Sequence, residues 1–366
     1  MHELSQPGGW LPLVFMALMG MAMLIYVVLD GYDLGVGILL GFANEGDKDT
    51  MVEPIGPFWD ANETWLVLGI GLLLSAFPIA HGIILGELYL PVAIMLFGLI
   101  LRGVAFDFRM KARAVQKGWW NGAFHAGSLV AALAQGVMLG RYITGFQAGA
   151  WAWAFALFVG VSLAAGYTLL GACWLLMKTE GELQRRAVAW ARGSLWLAAA
   201  GIAAISVATP LVSSFVFHKW FSFPNIVLLA PVPLMTAVLF AMVGVALEHQ
   251  PRTDERWSWL PFAGTVGVFV LAFFGLAFSI FPFVIVDRMT IWQAAAAPKS
   301  LSFILAGVVI VLPVMAASSA YSYWVFRGKA RELSYGTPAS SPLVMDRARA
   351  HEKCNAPVRF PYGDGS

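Results

Sequence analysis

The chain has 366 residues, of which 59% are hydrophobic and 12% are charged, and its formal net charge is +2. Soluble domains carry about 25% charged residues, so this composition excludes an ordinary soluble protein and indicates a helical protein that crosses a membrane several times. The chain contains no phosphate-binding glycine loop and no nucleic-acid-binding motif.

Long apolar runs define the predicted membrane helices, since one crossing takes about 20 apolar residues. Nine segments qualify: 11–33, 58–77, 87–108, 122–142, 151–177, 193–217, 225–247, 258–283 and 302–326. We expect residues 34–43 to extend the first helix into the membrane interface. The predicted fold is an all-α, polytopic membrane bundle of about nine transmembrane helices within residues 1–329, followed by a polar, disordered cytoplasmic tail over 330–366.

Basic residues in the short connections predict the orientation. Lys and Arg fall mainly in alternate connections, with the largest groups at 109–117 and 178–192. Because such residues stay in cytoplasmic loops, we expect the N-terminus outside and the C-terminus in the cytoplasm. The simplest location is a bacterial inner membrane.

The first helix carries two acidic residues near its predicted cytoplasmic end. Asp30 and Asp33 are three residues apart and share one helical face. A carboxylate in hydrocarbon costs about 2.5 kcal/mol or more. Two interpretations are equally open: a helix end that reaches headgroup water, or a carboxylate pair at the mouth of a proton-conducting cavity.

A second acidic group opens the second predicted helix. Its polar members are Trp59, Asp60, Asn62 and Glu63. Acids in a first turn stabilise the helix dipole, so capping alone is one interpretation. The group is larger than a cap needs, and we favour a proton-transfer role for Asp60. Trp65, close by, is typical of the aromatic belt at a membrane interface.

Arg102 lies deep in the third predicted span and needs a partner. Asp107 is five residues further on and off the same face, so an intrahelical pair is poor. Better candidates on neighbouring helices are Asp30, Asp33 and Asp60. The alternative is a side chain that extends to the headgroup region.

Haem and metal ligands are not apparent. The histidines are His2, His81, His125, His218, His249 and His351. A haem or metal site in a bundle needs ligands converging at one depth, and these residues are predicted to be spread over both ends. We therefore expect this chain to bind no metal or haem itself. Gln135, in the fourth span, is expected to form an interhelical hydrogen bond.

Four segments together resemble subunit II of the cytochrome bd-type quinol oxidases, including the cyanide-insensitive branch. They are 30–37 (DGYDLGVG), 59–66 (WDANETWL), 102–109 (RGVAFDFR) and Gln135-Gly136. Their order and spacing match over about residues 10–330. Phe58 departs from the pattern, because some members have His at that position.

The resemblance implies a respiratory terminal oxidase that oxidises quinol and reduces dioxygen to water. It implies a heterodimer in which the partner, subunit I, holds the haems and the quinol site. This chain would support assembly and contribute a proton path from the cytoplasm. By position Asp60 and Asp33 match the family's proton-path carboxylates, and we add Asp30 and Glu63 to the expected path. The expected structural polar partners are Arg102, Asp107, Asn62 and Trp59.

The resemblance leaves open which quinol is used and whether the partner carries haem d or only b-type haems. It also leaves open whether small accessory subunits bind and whether this subunit holds a structural quinone, as some members do. A proton-coupled secondary transporter would also use intramembrane acids. Such transporters often show broken helices in two related halves, whereas the Gly-interrupted acidic segment occurs here once. A pure assembly scaffold would leave the carboxylates unexplained.

Overall fold

A computed structural model describes residues 8–250 and 257–329, and the predicted tail over 330–366 lies outside the described residues. The described part is a bundle of long helices with one small hairpin, so the predicted all-α membrane class is confirmed. The helices are α1 (Leu11–Leu40), α2 (Lys48–Val52), α3 (Trp59–Ala76), α4 (Pro78–Lys111), α5 (Ala114–Ile143), α6 (Ala150–Lys178), α7 (Gly181–Val212), α8 (Ser214–Phe221), α9 (Asn225–Leu229), α10 (Pro231–Glu248), α11 (Leu260–Ile280), α12 (Ile291–Ala294) and α13 (Pro298–Val325), with a 3-10 turn at Glu53–Ile55.

Eight helical segments of the described chain are long and apolar enough to cross a membrane. They are α1, α4, α5, α6, α7, the α9–α10 pair, α11 and α13. Each coincides with a predicted span. The remaining predicted span, 58–77, corresponds to α3, whose polar first turn lowers its hydropathy. The total of nine crossings and the orientation of the two chain ends stay predictions.

The helices alternate in direction, which defines two ends of the bundle. We call the inner end the one at which α1 ends and α3 begins; the connections α4–α5 and α6–α7 lie there as well, joined to it by salt bridges. The opposite, outer end holds the α3–α4 turn and the segment between α11 and α13. The distribution of basic residues predicts that the inner end faces the cytoplasm.

Helix α1 is the centre of the bundle and packs against α3, α5 and α6. It continues without interruption to Leu40, and residues 34–40 are buried in protein. Close approach to α6 requires glycine, because a Cβ on Gly35 would lie 1.8 Å from the carbonyl oxygen of Tyr167. This approach places the acidic segment 30–33 in the bundle interior.

The outer end is closed by a short antiparallel hairpin of β1 (Phe283–Ile285) and β2 (Met289–Thr290), in which Phe283 pairs with Thr290. The Tyr142 hydroxyl, at the end of α5, donates to the Val284 carbonyl at 2.6 Å. Apolar residues of α1, α4 and the hairpin form a separate hydrophobic cluster around these contacts. The polar groups described next lie at the other end.

Candidate functional site

Charged and polar side chains meet inside the bundle where α1, α3 and α4 come together near the inner end. We call this group the buried acid cluster; its members are Asp30, Asp33, Asn62, Glu63 and Arg102. Asp30 is 0% exposed and Asp33, Asn62 and Arg102 are each 1% exposed. Bulk water cannot solvate charges at this depth, so contacts within the cluster must stabilise them.

Arg102 is shared by two carboxylates. Its Nη2 donates to Asp30 Oδ1 at 2.7 Å and to Glu63 Oε1 at 2.5 Å. A buried guanidinium without a partner costs several kcal/mol, so these contacts explain how α4 tolerates it. The predicted pair with Asp30 is confirmed, while Glu63 takes the place considered for Asp33 or Asp60. Neither of those two has a salt bridge to Arg102 in the described chain.

Asn62 organises the other half of the cluster. Its Nδ2 donates to Asp33 Oδ2 at 2.8 Å and lies 3.2 Å from the Tyr32 hydroxyl. The Tyr323 hydroxyl donates to Asn62 Oδ1 at 3.1 Å and lies 2.5 Å from the Tyr32 hydroxyl. One side-chain amide thus connects α1, α3 and α13, although α13 is far away in sequence.

A second line of hydrogen bonds reaches the cluster from the middle of the bundle. The Tyr167 hydroxyl donates to Gln135 Oε1 at 2.7 Å, and Gln135 Nε2 donates to the Tyr26 hydroxyl at 2.7 Å. Tyr26 lies one helical turn before Asp30 on α1. The predicted interhelical bond of Gln135 is confirmed, and it joins α5 to both α1 and α6.

The cluster holds more acid than base. The three carboxyl groups surround one guanidinium, so full ionisation would leave two negative charges uncompensated. Four of its buried atoms have no partner among the described residues: Asp30 Oδ2, Asp33 Oδ1, Arg102 Nε and Arg102 Nη1. Buried polar atoms are normally paired; the two carboxylate oxygens can accept a proton or a hydrogen bond, and the two guanidinium N–H groups can donate one.

Apolar side chains lie between the cluster and the inner end. We call them the apolar plug: Met51, Val52, Ile55 and Phe58, each 2% exposed or less. The Phe58 ring stacks on Tyr323 at a centroid distance of 4.3 Å and contacts Trp174 and Phe326 edge to face. The Asn62 backbone N–H donates to the Phe58 carbonyl at 2.9 Å, so Phe58 lies one helical turn closer to the inner end than Asn62.

Salt bridges hold the plug segment in place. Asp49 accepts from Arg109 at 2.5 Å and from Lys117 at 2.6 Å, and Arg186 donates to Asp47 at 3.1 Å. Partial burial acts to raise the pKa of Asp49, but the hydrogen bond from Lys117 and the charge of Arg109 outweigh it and lower the pKa below its usual value. The Asp49 carboxylate therefore stays ionised at neutral pH.

Three of the predicted site residues lie outside the cluster: Asp60, Asp107 and Trp59. Asp60 and Asp107 are exposed in this chain, each directly after one ring of the Trp59–Phe106 contact, whose centroids are 5.3 Å apart. Both acids lie towards the inner end, Asp60 at the start of α3 and Asp107 in the last turns of α4. Asp107, expected as a structural polar partner, has no salt bridge in residues 8–250 and 257–329.

Two interpretations of the sequence are wrong. Asp30 and Asp33 do not sit at a helix end in headgroup water, because α1 continues past them and both are buried. Trp65 is not a belt residue, because it is 2% exposed and its Nε1 donates to Ser319 Oγ at 3.3 Å. In each case packing by a distant helix covers a residue that looks peripheral in the sequence.

Sequence reasoning missed the tyrosines that complete the site. They are Tyr26, Tyr32, Tyr167 and Tyr323. Tyr32 stands within the acidic segment, so its hydroxyl could have been noticed there. The others lie in ordinary apolar runs, and only the need of each buried hydroxyl for a partner marks them.

Metal ligands do not converge in the described residues. No group of three or more His, Cys, Asp or Glu in residues 8–250 and 257–329 is placed to hold a metal ion. His125 Nδ1 lies 2.9 Å from the Ile38 carbonyl oxygen, and His249 Nδ1 lies 2.7 Å from the Val245 carbonyl oxygen. His2 and His351 lie outside the described residues.

The fold and site define a multi-pass helical membrane protein with an ionisable cluster in its interior. The family model for cytochrome bd terminal oxidase subunit II matches residues 11–326, and the chain belongs to this family. It is 28% identical over 327 residues to cytochrome bd ubiquinol oxidase subunit 2 of Bacillus subtilis (strain 168), covering 82% of this chain and 91% of that one. It is 26% identical over 359 residues to cytochrome bd-I ubiquinol oxidase subunit 2 of Escherichia coli (strain K12), covering 86% and 94%.

A solved structure of bd oxidase from Geobacillus thermodenitrificans has the same fold, with a TM-score of 0.68 at 16% identity over 87% of this chain and 99% of that chain. The chain is thus the second subunit of a respiratory quinol oxidase and a multi-pass protein of the bacterial inner membrane. As a subunit II it implies a subunit I partner.

Proposed function

We propose that this chain supports assembly with a haem-bearing subunit I and conducts protons from the cytoplasm towards the oxygen-reducing site. The buried acid cluster carries the proposal, because ionisable groups inside a membrane bundle normally mark ion or proton pathways. Following the family resemblance, we assign the haems, b-type alone or with haem d, to the partner.

Asp60 is the proposed point of proton uptake. It is exposed at the inner end, and it lies one helical turn before Glu63, on the same side of α3. Glu63 contacts Arg102, and Arg102 contacts Asp30 in the interior. Carboxyl groups at this spacing can gain and lose protons in succession, which a relay requires.

The exposed acids of α3 and α4 also support a role in assembly with subunit I. Asp60 and Asp107 are exposed between apolar side chains of α3 and α4 such as Val67 and Val104. Acids on an apolar membrane face are costly when lipid covers them. A protein partner that supplies polar contacts or bound water there would remove that cost.

The test is oxygen consumption per haem of the complex purified with its subunit I. Asp60→Asn keeps the shape of the side chain but cannot titrate, so we expect assembly with normal haem content and a rate lowered by about 10²-fold. Asp60→Glu should retain part of the activity. If Asp60 only stabilises the helix dipole, an effect of about 0.3–1 kcal/mol, the rate would stay unchanged.

A matched control is Glu45→Gln, which neutralises another exposed acid of the inner end, one that pairs with Lys48 at 2.6 Å. It should leave the rate as it is. Full activity in Asp60→Asn, with Asp33→Asn impaired, would remove Asp60 from the path and leave Asp33 in it.

A further inference from the structure

We propose that the buried acid cluster exchanges protons sideways, through Glu63 on the exposed face of α3, and that the apolar plug closes the shorter route from the inner end. The inference rests on the proposed proton-conducting function and specifies where its interior groups meet the outside. In this proposal Glu63 passes protons between the cluster and the protein surface, and Phe58 blocks their entry from the inner end.

Burial singles out Glu63 within the cluster. Its side chain is 27% exposed, whereas the side chains of Arg102 and Asp30 are 1% and 0% exposed. Its Oε1 is directed inward, because it accepts a hydrogen bond from Arg102 Nη2 at 2.5 Å. Glu63 is therefore the member that touches both the interior and the surface.

The surface that Glu63 reaches is the lateral face of α3. Asp60, Thr64 and Val67 are exposed on the same side of this helix, since residues three and four apart lie on one face. The face points away from α1, so it meets lipid or a partner subunit and not the loops of the inner end. Protons that reach Glu63 come along this face, past Asp60.

The direct route from the inner end is closed by apolar groups. Phe58 is 1% exposed and enclosed by the rings of Tyr323, Trp174 and Phe326. None of the four plug residues has a group that can carry a proton, and a charge placed among them without hydrogen bonds would cost several kcal/mol. The salt bridges of Asp49 hold this segment against α4 and α5.

The charged groups around Glu63 make it suited to the transfer. Asp30 on α1, Asp60 on α3 and Arg102 on α4 all act on it electrostatically. Proton uptake turns the Glu63 carboxylate into a neutral acid and leaves Arg102 paired with Asp30 alone. Release of that proton to a buried carboxylate restores the Glu63 anion and its bond to Arg102, so charge is conserved in each step.

The experiment uses the purified complex of the full chain with subunit I. Glu63→Gln keeps a carbonyl oxygen for Arg102 but cannot titrate, so we expect normal haem content and oxygen consumption lowered at least about tenfold. Phe58→His places a titratable ring in the plug. In the double variant we expect a several-fold recovery that depends on pH near about 6.5, where imidazole titrates.

A second plug variant, Met51→His, replaces Phe58→His if the latter lowers haem content. Glu45→Gln is the control and should match the wild type throughout. The proposal is overturned if Glu63→Gln turns over normally while Asp33→Asn is slow, because the cluster then has another access route. It is also overturned if neither histidine variant raises the rate of assembled Glu63→Gln.

These outcomes are separate from failure of the proposed function. If Asp33→Asn and Asp60→Asn both consume oxygen at the wild-type rate, this chain carries no essential proton path at all. A slow Asp60→Asn together with a normal Glu63→Gln would keep the proton function and reject only the lateral route through Glu63.

Discussion

The buried acid cluster near the inner end and the salt bridges of Glu87 at the outer end are opposite in composition. In the buried acid cluster, acids in excess surround one guanidinium, with contacts at 2.5 and 2.7 Å. At the outer end, Arg141 and Arg288 flank the single acid Glu87 at 3.9 and 3.7 Å. Glu87 is 39% exposed, so water can solvate it, whereas the acids of the buried cluster depend on the protein.

The remaining contacts of the two groups show why only one is a candidate for function. Arg141 also donates to the Gln147 carbonyl at 2.5 Å and lies 4.8 Å from the Trp153 ring centroid. Among the described residues, this outer group leaves one buried atom without a partner, Arg141 Nε, and the buried acid cluster leaves four. The outer contacts join secondary structure elements, while the inner ones retain capacity for protons.

The largest effect is expected for Arg102→Leu. It leaves Asp30 and Glu63 without their cation, and breaking a buried pair in this way costs about 3–5 kcal/mol. We expect little assembled complex, measured as haem absorbance per amount of membrane protein. Asp30→Leu should be equally harmful, because it removes the buried carboxylate that pairs with the guanidinium.

The control is Arg288→Leu at the outer end, where the side chain is 49% exposed. It should assemble nearly as well as the wild type. Normal assembly and turnover of Arg102→Leu would show that burial does not make the inner group more important than the outer one.

A smaller effect is expected for Tyr323→Phe. The ring still stacks on Phe58, but Asn62 Oδ1 loses its donor, and a buried acceptor left unpaired costs about 1–3 kcal/mol. The complex should assemble with a lower thermal midpoint. Tyr321→Phe is the matched control, because its ring is 65% exposed on the same helix. Equal midpoints for the two variants would contradict a role for the hydroxyl in the cluster.

The smallest effect is expected for Glu87→Gln. Exposed ion pairs contribute about 0–1 kcal/mol, and both of its contacts are at the long limit for a salt bridge. The thermal midpoint of the complex should stay close to that of the wild type in low and high salt. A loss of assembly as large as that of Arg102→Leu would mean that the outer group is as tightly coupled to the fold as the inner one.

Hydropathy was sufficient to predict where the helices lie, since every predicted span coincides with a long helix. The pairing of Arg102 with Asp30 was also within reach, because a buried charge demands a partner at its own depth. Glu63 was harder, since the sequence places it near a helix start, where an acid has a local explanation, whereas it is the fifth residue of α3 and lies beyond the first turn. Because this local explanation is sufficient, the sequence gives no reason to expect a contact between Glu63 and another helix.

The remaining site residues depend on tertiary packing. Asn62 and Tyr323 are separated by 261 positions, and Trp65 and Ser319 by 254. No local pattern relates such residues, and a tryptophan near a helix start is as typical of a membrane interface as of a core. Only the position of α13 against α3 decides between these alternatives.

The late position of α13 in the chain has a consequence for biosynthesis. Lys178 Nζ donates to the Phe326 and Gly328 carbonyls at 3.1 and 2.9 Å, and Tyr323 gives Asn62 its hydrogen bond. The ribosome produces these partners long after the acids of α1 and α3. A nascent or truncated chain that ends before residue 319 therefore lacks the hydrogen-bond partners that α13 and the residues after it give to Asn62, Trp65 and Lys178.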